Sequence, residues 1–476
     1  MEKPEFKKIS VIYTFATLVF LFASMFFTLK IVGSDYLQIP LITTACIAGL
    51  IAWGHGYKWK NLIDAILYGI GIAMEGLIIL LIIGMLIGTW VASGTVQTII
   101  VYGLDLLNAE WFLPICLIIC AITALATGSA WTTGGTVGVA LMGIGLGLGI
   151  NPGLVGGTIV SGAFFGDKLS PISDNSNVVS AATGVNLFDH VRHTAKTAVP
   201  GILICLVIVT VIGLTMEKGE MDNAAIQTTV QTLQDNYYIG LILLIPPVFV
   251  IVGSIFKIPA IPSLLLATAV GAAFALIFQA KTTPNLNELF SVIYNGVNIE
   301  TGVESVDKIV NRGGLSSMYY NTSLAMSALA LSGILEKTGM LQSLLDSMKG
   351  LLKTRVSLML TTMVTSWLSD MATASQHMSM IIPGRMFAPA YKEQNLKLVN
   401  LTRTLADSGG LIDAIVPWSL SGVFMAGALG IPVLTYAPYT FFTFVVPVIA
   451  IFYAVTGINF PYEDGYEKPN KKEAKA

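Results

Sequence analysis

Stretches of about twenty consecutive apolar residues recur along this 476-residue chain, and nothing else in it limits the fold so severely. A backbone inside hydrocarbon has no water to bond, so such stretches must satisfy their own hydrogen bonds as helices. Hydropathy predicts ten full crossings, near 8–29, 37–54, 70–92, 152–182, 197–216, 237–256, 260–280, 315–335, 396–427 and 433–456. Only 11% of the residues are charged and 54% are hydrophobic, whereas a soluble chain carries about a quarter charged. The fold class is therefore an all-α polytopic membrane protein, and nucleic-acid binding is excluded. The run from Ile9 to Leu29 follows Lys3, Lys7 and Lys8, but it is longer than a signal-peptide core and no small-residue cleavage site follows. It reads as a retained first span. Cys46, Cys116, Cys120 and Cys205 lie in apolar segments and read as small fillers, with no disulfide or metal role.

Two further apolar segments, 112–148 and 355–391, are interrupted by "ATGSAWTTGG" and "SDMATASQHMS". Each reads as a hairpin of two half-length helices that enters and leaves on one side. Charge distribution supports this count. With the N-terminus inside, Lys58, Lys60, Arg192, Lys196, Lys337, Lys349, Lys353, Arg355, Lys392, Lys397 and the tail lysines fall on the inner face. The outer face receives Asp105, Glu110, "MEKGEMDN" and the mixed segment 281–314, as the positive-inside rule requires.

The chain also repeats itself. A shift of 246 lays "ATGS" (126–129) over "ATAS" (372–375), and Asp167, Pro171 and Ser173 over Asp413, Pro417 and Ser419. A shift of 245 lays "SGTVQTII" (93–100) over "TGMLQSLL" (338–345). Each unit holds five crossings and one hairpin, and an odd number of crossings inserts the second copy upside down. Inverted repeats of this kind characterise secondary transporters, whose sites form near the midplane from discontinuous helices. The expected layout is a first repeat over 1–216, with hairpin 112–148 and broken helix 152–182, and an outer connecting loop over 217–236. A second repeat follows over 237–460, with hairpin 355–391 and broken helix 396–427, and a cytoplasmic tail over 461–476.

Polar residues concentrate where these units break. Asp167 and Asp413 each follow an apolar run and precede a proline by four residues, a pattern that interrupts a helix and frees backbone carbonyls and N–H groups for ions. The turns at Thr127, Gly128, Ser129 and at Thr373, Ala374, Ser375 expose backbone in the same way. Oxygen ligands crowd nearby: Asp174, Asn175, Ser176 and Asn177 in the first half, and Asp370, Asp407 and Asp413 in the second. Hard cations favour such mixed oxygen sets. A carboxylate at the membrane centre costs about 2.5–3.5 kcal/mol even on the gentler insertion scale, so several together imply an ion- or water-filled cavity. Structural readings stand beside these. Asp167 and Asp174 admit pairing with Lys168 or helix capping, and the hairpin hydroxyls admit satisfaction of local backbone. His377 admits a plain interior role, and Arg403 either neutralises Asp407 or meets a substrate carboxylate. His190 and His193, in "NLFDHVRHTAK", read as surface residues of an amphipathic inner-face segment, and Asn321 in "YYNTS" is a chance glycosylation match.

"GAFFGDKLSPISDNSN", followed by "GVNLFDHVRHTAKTAVPG", resembles the signature of the NhaC-type sodium/proton antiporter family. The resemblance extends to "TGSAWTT", "WLSDMATASQH" and "ADSGGLIDAIVPWS". It implies a bacterial inner-membrane exchanger with two hairpins and inverted repeats, moving substrate by an elevator motion. The family pattern carries onto Asp167, Lys168, Ser170, Pro171, Ser173, Asp174 and Asn177, whereas Asn175 and Ser176 stand where hydroxyl residues are more usual. Some relatives in this family resemble exchangers of malate and protons for lactate and sodium.

The functional expectation is a sodium/proton antiporter whose Na+ site is Asp167, Asp174 and Asn177. Thr127, Ser129, Ser173, Asn175, Thr373, Ser375 and Asp413 also line it, with Asp370, His377, Arg403, Asp407 and Ser419 as secondary candidates. The alternative is a sodium- and proton-coupled organic-acid exchanger, with Arg403 and His377 holding the anion. A channel fits the broken helices less well, and an intramembrane enzyme with Asp370 and Asp407 or Asp413 as a dyad lacks a paired catalytic signature. No cofactor is expected. The partners are the bilayer, Na+, H+ and, in the alternative, a small carboxylate; a homodimer is compatible with this reading.

Overall fold

The computed structural model describes residues 9–216, 223–256, 258–351 and 353–464. Lys3, Lys7 and Lys8, most of "MEKGEMDN" and the tail beyond Asp464 lie outside the described residues. Helix follows helix throughout, and among the described residues the only β contact is an isolated bridge between Leu396 and Tyr462. Val11–Val32, Met74–Ala92, Ala109–Thr127, Leu187–Thr215 and Ala260–Phe278 are each long and apolar enough to cross a membrane. Three helix pairs bent by 95°, 69° and 85° bring the number of such spans to as many as eight among the described residues. Large apolar side chains such as Ile12, Phe15, Trp53, Val207 and Phe256 point outward, which is costly in water and natural against lipid. The chain is a multi-pass helical membrane protein.

Its helices recur at a fixed spacing. Ala109–Thr127 and Arg355–Thr373 begin and end 246 residues apart. So do Asp174–Thr183 and Leu420–Leu429, while Met74–Ala92 and Tyr319–Lys337 are offset by 245. The caps recur too. Gly128 and Ala374 both adopt the left-handed conformation, at φ 69° and 52°, and Ser129 and Ser375 each accept a backbone N–H three residues on. Ser173 and Ser419 cap the resumed helices, which end at left-handed Gly184 and Gly430. Glycine at 128 meets that conformation without strain; Ala374 adopts it at a cost, since a Cβ disfavours positive φ.

Four expectations are corrected. The hairpin arms are not half-length: Ala109–Thr127 and Arg355–Thr373 have 19 residues each and Gln376–Glu393 has 18, so each rises about 27–28 Å. Their apolar runs simply continue past the polar turns, and two arms of any length still return the chain to the side it left. The span expected at 197–216 begins at Leu187, because Asn186 caps a continuous 29-residue helix that absorbs the amphipathic segment. Within 217–236, expected as a loop, Asn223–Asn236 is helical. The span expected at 433–456 divides into Val433–Tyr436, a short turn of 3-10 helix and Phe441–Thr456.

The first hairpin locates the first broken helix by close backbone approach. A Cβ added to Gly162 would stand 2.5 Å from the Leu117 carbonyl oxygen, and one at Gly166 would stand 2.4 Å from that of Ala121. "GAFFG" is thus a pair of small residues one turn apart that lets two helices touch. The contact holds Asp167, the next residue, in the protein interior.

Candidate functional site

At the first break, helix Pro152–Leu169 stops and helix Asp174–Thr183 begins. Ser170 is extended and donates its hydroxyl to the Leu125 carbonyl at 2.9 Å, tying the break to the hairpin. Ser173 caps the new helix and donates to Asp167 Oδ1 at 2.5 Å, and Asn175 Nδ2 donates to Asp167 Oδ2 at 2.6 Å. Each oxygen of this buried carboxylate therefore has a donor. A cavity of about 10 Å³ beside it is bounded by Asp167, Lys168, Asn175, His190, Gln376 and Gly410. That is about the room one water needs.

The neighbouring residue crosses to the other half of the chain. Lys168 Nζ bonds Asp407 Oδ1 at 2.6 Å and the Ala406 carbonyl at 2.5 Å, and both side chains are almost fully buried. Thr197 donates to the same Asp407 oxygen at 3.0 Å. Arg403, wholly buried, lies 3.9 Å from Asp407 Oδ2, donates to the Asn459 carbonyl at 2.6 Å, and sits over the rings of Tyr453 and Phe460. Asp167 and Lys168 of the first break thus lie beside Asp407 and Arg403 of the other half, two carboxylates with two cations.

The second break carries the same scaffold with a different balance. Helix Val399–Asp407 is followed by Gly409–Ile412, and helix Leu420–Leu429 resumes after Ser419. Ser419 donates to the Asp413 carbonyl, and the Ser421 N–H donates to Asp413 Oδ2 at 3.2 Å. Ser421 stands where Asn175 stands in the first break, 246 residues earlier. Asp370, from the second hairpin, lies within hydrogen-bonding range of Asp413. Both are 0% exposed, and both Asp370 oxygens and Asp413 Oδ1 have no donor. Among the described residues no ion pair reaches either carboxylate. Two adjacent buried carboxyl groups without a compensating cation repel each other strongly.

Each hairpin reaches across to a break. Trp131 donates to Ser421 Oγ at 3.0 Å, and Gln376 donates to the Gly410 carbonyl at 2.6 Å. The Leu420 N–H bonds the carbonyl of the turn residue Ala374 at 3.1 Å. Thr127, Ser129, Thr373 and Ser375 make their hydrogen bonds within the hairpins themselves, Ser129 and Ser375 as helix caps.

The Na+ ligand set expected from the sequence does not converge. Asp174 and Asn177 are exposed and one helical turn apart, on the face of helix Asp174–Thr183 opposite Ser176 and Val179. Asn177 Nδ2 caps the Ser173 carbonyl at 2.8 Å, so it is Ser173 and Asn175 that meet Asp167. His377, also exposed, lies within electrostatic range of Asp174. His190 and His193, expected at the surface, are buried at 1% and 4% exposure, because the long helix Leu187–Thr215 packs against both broken helices. The bond between Trp131 and Ser421 escaped the sequence reading, though the 246-residue offset from Asn175 was a signal for Ser421.

Removing one partner of the Lys168–Asp407 pair should be severe. We expect Lys168→Met to lose about 3–5 kcal/mol through the charge left buried, and the double variant Lys168→Met, Asp407→Leu to recover part of it. Unfolding in lipid nanodiscs measures both.

The family model described as the Na+/H+ antiporter family matches residues 6–191 and 162–458. An Na(+)/H(+) antiporter NhaC of Alkalihalophilus pseudofirmus is 37% identical over 421 residues, covering 88% of this chain and 90% of the relative. The malate-2H(+)/Na(+)-lactate antiporter of Bacillus subtilis is 35% identical over 421 residues, covering 88% and 89%. The arginine/ornithine antiporter ArcD of Halobacterium salinarum is 34% identical over 440 residues, covering 91% and 90%.

Proposed function

The chain belongs to the Na+/H+ antiporter family and is a secondary transporter exchanging sodium ions for protons, and we propose that the exchange takes place at the carboxylates of its two breaks. The observation that carries this reading is the uncompensated pair Asp370 and Asp413, with three buried oxygens that have no donor. Such a pair requires one positive charge between its oxygens. A proton shared by the two meets the requirement, and so does a sodium ion held by both. Sodium entering displaces the proton, and the two cannot be present together, so each is moved only in exchange for the other. Asp167 is the matching carboxylate of the first break, where Ser173 and Asn175 already supply donors and Lys168 and Arg403 balance the charge.

The two halves are, in this reading, inverted copies that carry the breaks between the faces of a bacterial plasma membrane by an elevator motion, with both termini cytoplasmic. Support comes from the constant helix spacing, the odd number of crossings expected per half, and the inner-face lysines and arginines.

Two experiments test these statements. Asp370→Asn and Asp413→Asn should each reduce sodium-driven proton flux in everted vesicles to background while the protein still inserts; near-normal flux in either variant removes the pair from the exchange path. For the topology, cysteines replacing Ser129 and Ser375, in a background lacking Cys46, Cys116, Cys120 and Cys205, should react with a membrane-impermeant thiol reagent from opposite sides. Labelling of both from one side only, in every transport condition, contradicts inversion.

A further inference from the structure

A cavity of about 670 Å³ lies apart from the carboxylates just described. It runs in the groove between helices Tyr319–Lys337 and Leu420–Leu429. The second presents Val423, Ala426, Gly427 and its cap Gly430 to it, one face at helical spacing, and the inner end is Pro417 of the second break. A monovalent ion has no use for this volume, which lies in the range of pockets that hold small organic molecules.

Its charge suits an anion. Among the lining residues the only cation is Arg312 and the only carboxylate is Asp35, which is exposed at the rim. Arg312 Nη2 donates to the Leu429 carbonyl at 2.8 Å, whereas Nη1 is buried with no partner. Burial pulls the guanidinium pKa down to about 10, so it stays cationic at neutral pH. Across the groove, the Asn321 amide nitrogen has only the Met318 sulfur, at 3.9 Å. A cap for the end of helix Leu420–Leu429 needs one guanidinium nitrogen. The second nitrogen has no partner, and the Asn321 amide has only a sulfur acceptor.

The position of Arg312 is built in. The next residues, Gly313 and Gly314, both have positive φ, at 84° and 82°, and a Cβ on Gly313 would stand 2.3 Å from the Gly88 nitrogen. The Gly314 N–H bonds the Gly84 carbonyl at 2.7 Å. This double-glycine turn lies flat on helix Met74–Ala92 and admits no side chain, so it fixes the backbone that presents the arginine.

We propose that this cavity binds a small organic carboxylate, with Arg312 Nη1 and the Asn321 amide as donors to its oxygens. The site differs from the one expected from the sequence for such an anion, since Arg403 is enclosed by Asp407, Asn459, Tyr453 and Phe460 and His377 is not among the residues that line the cavity. The proposal goes beyond the exchange reading and does not depend on it.

The test is binding to the full chain in phosphatidylcholine nanodiscs, with acetate, L-lactate and L-malate as probes and thermal unfolding as readout. At least one acid should stabilise the wild type saturably. Arg312→Gln should weaken that binding by at least about tenfold, as the loss of a charge-assisted bond implies, with Arg312→Lys intermediate. Should Arg312→Gln fail to insert, Asn321→Leu, which leaves the Leu429 cap in place, must weaken binding too. No saturable effect of any acid, or equal affinity in these variants, overturns the proposal. So does binding that vanishes when phosphatidylglycerol is added to the discs, which would assign the guanidinium to a lipid headgroup. Acid binding retained in Asp413→Asn, alongside lost exchange, separates this claim from the exchange site.

Discussion

The ion pair between Lys168 and Asp407 joins the two broken helices, and the geometry of both breaks depends on it. Lys168 leaves the first helix one residue after Asp167 and reaches the last turn of helix Val399–Asp407, just before the second interruption. With both charges buried, the pair has no water to fall back on, and any motion that parts the breaks must expose or re-pair two charges. That cost favours movement of the two breaks as one body. Thr197, from the long helix Leu187–Thr215, completes the contact by bonding the same carboxylate oxygen, so three helices meet at one charge.

The two breaks repeat one architecture with unequal charge. The breaks share an aspartate, a proline four residues later and a capping serine two residues beyond that. At the first, both aspartate oxygens have donors and the adjacent Lys168 pairs with Asp407. At the second, Asp370 joins from the hairpin, no lysine or arginine pairs with it among the described residues, and its oxygens go without donors. Position 124, its counterpart in the first hairpin, is alanine. Within the repeated frame, Asp370 in place of Ala124, Ala414 in place of Lys168 and Ser421 in place of Asn175 therefore separate a break whose aspartate has its donors from one whose carboxylates lack them.

Sequence reading reached the features that repeat locally. Proline after aspartate, serine caps and the spacing of "ATGS" and "ATAS" all record backbone geometry that recurs, so the 246-residue offset appears in letters and in helix ends alike. Long-range pairing was not legible in this way. Lys168 and Ala406 are 238 residues apart, and no local pattern selects that partner. Periodicity also misjudged direction around single helices. "SDNSN" reads as five equivalent oxygen-bearing side chains, but helix Asp174–Thr183 turns Asp174 and Asn177 outward and Asn175 and Ser176 inward. His190 and His193 look amphipathic in isolation and are buried only because two broken helices pack on their face. The arginine cavity was invisible for a related reason: "NRGGL" reads as a polar loop until its glycines are seen pressed against helix Met74–Ala92.

The central claim is that one pair of carboxyl groups takes either a proton or a sodium ion. Sodium-dependent proton flux, measured over a series of sodium concentrations at several pH values, tests it most directly. Competition at one pair requires the apparent sodium affinity to weaken about tenfold per pH unit below the apparent pKa of the pair, with the maximal rate at saturating sodium unchanged. An apparent affinity that stays constant while the maximal rate falls would mean that protons act elsewhere, and the shared-carboxylate account would be wrong.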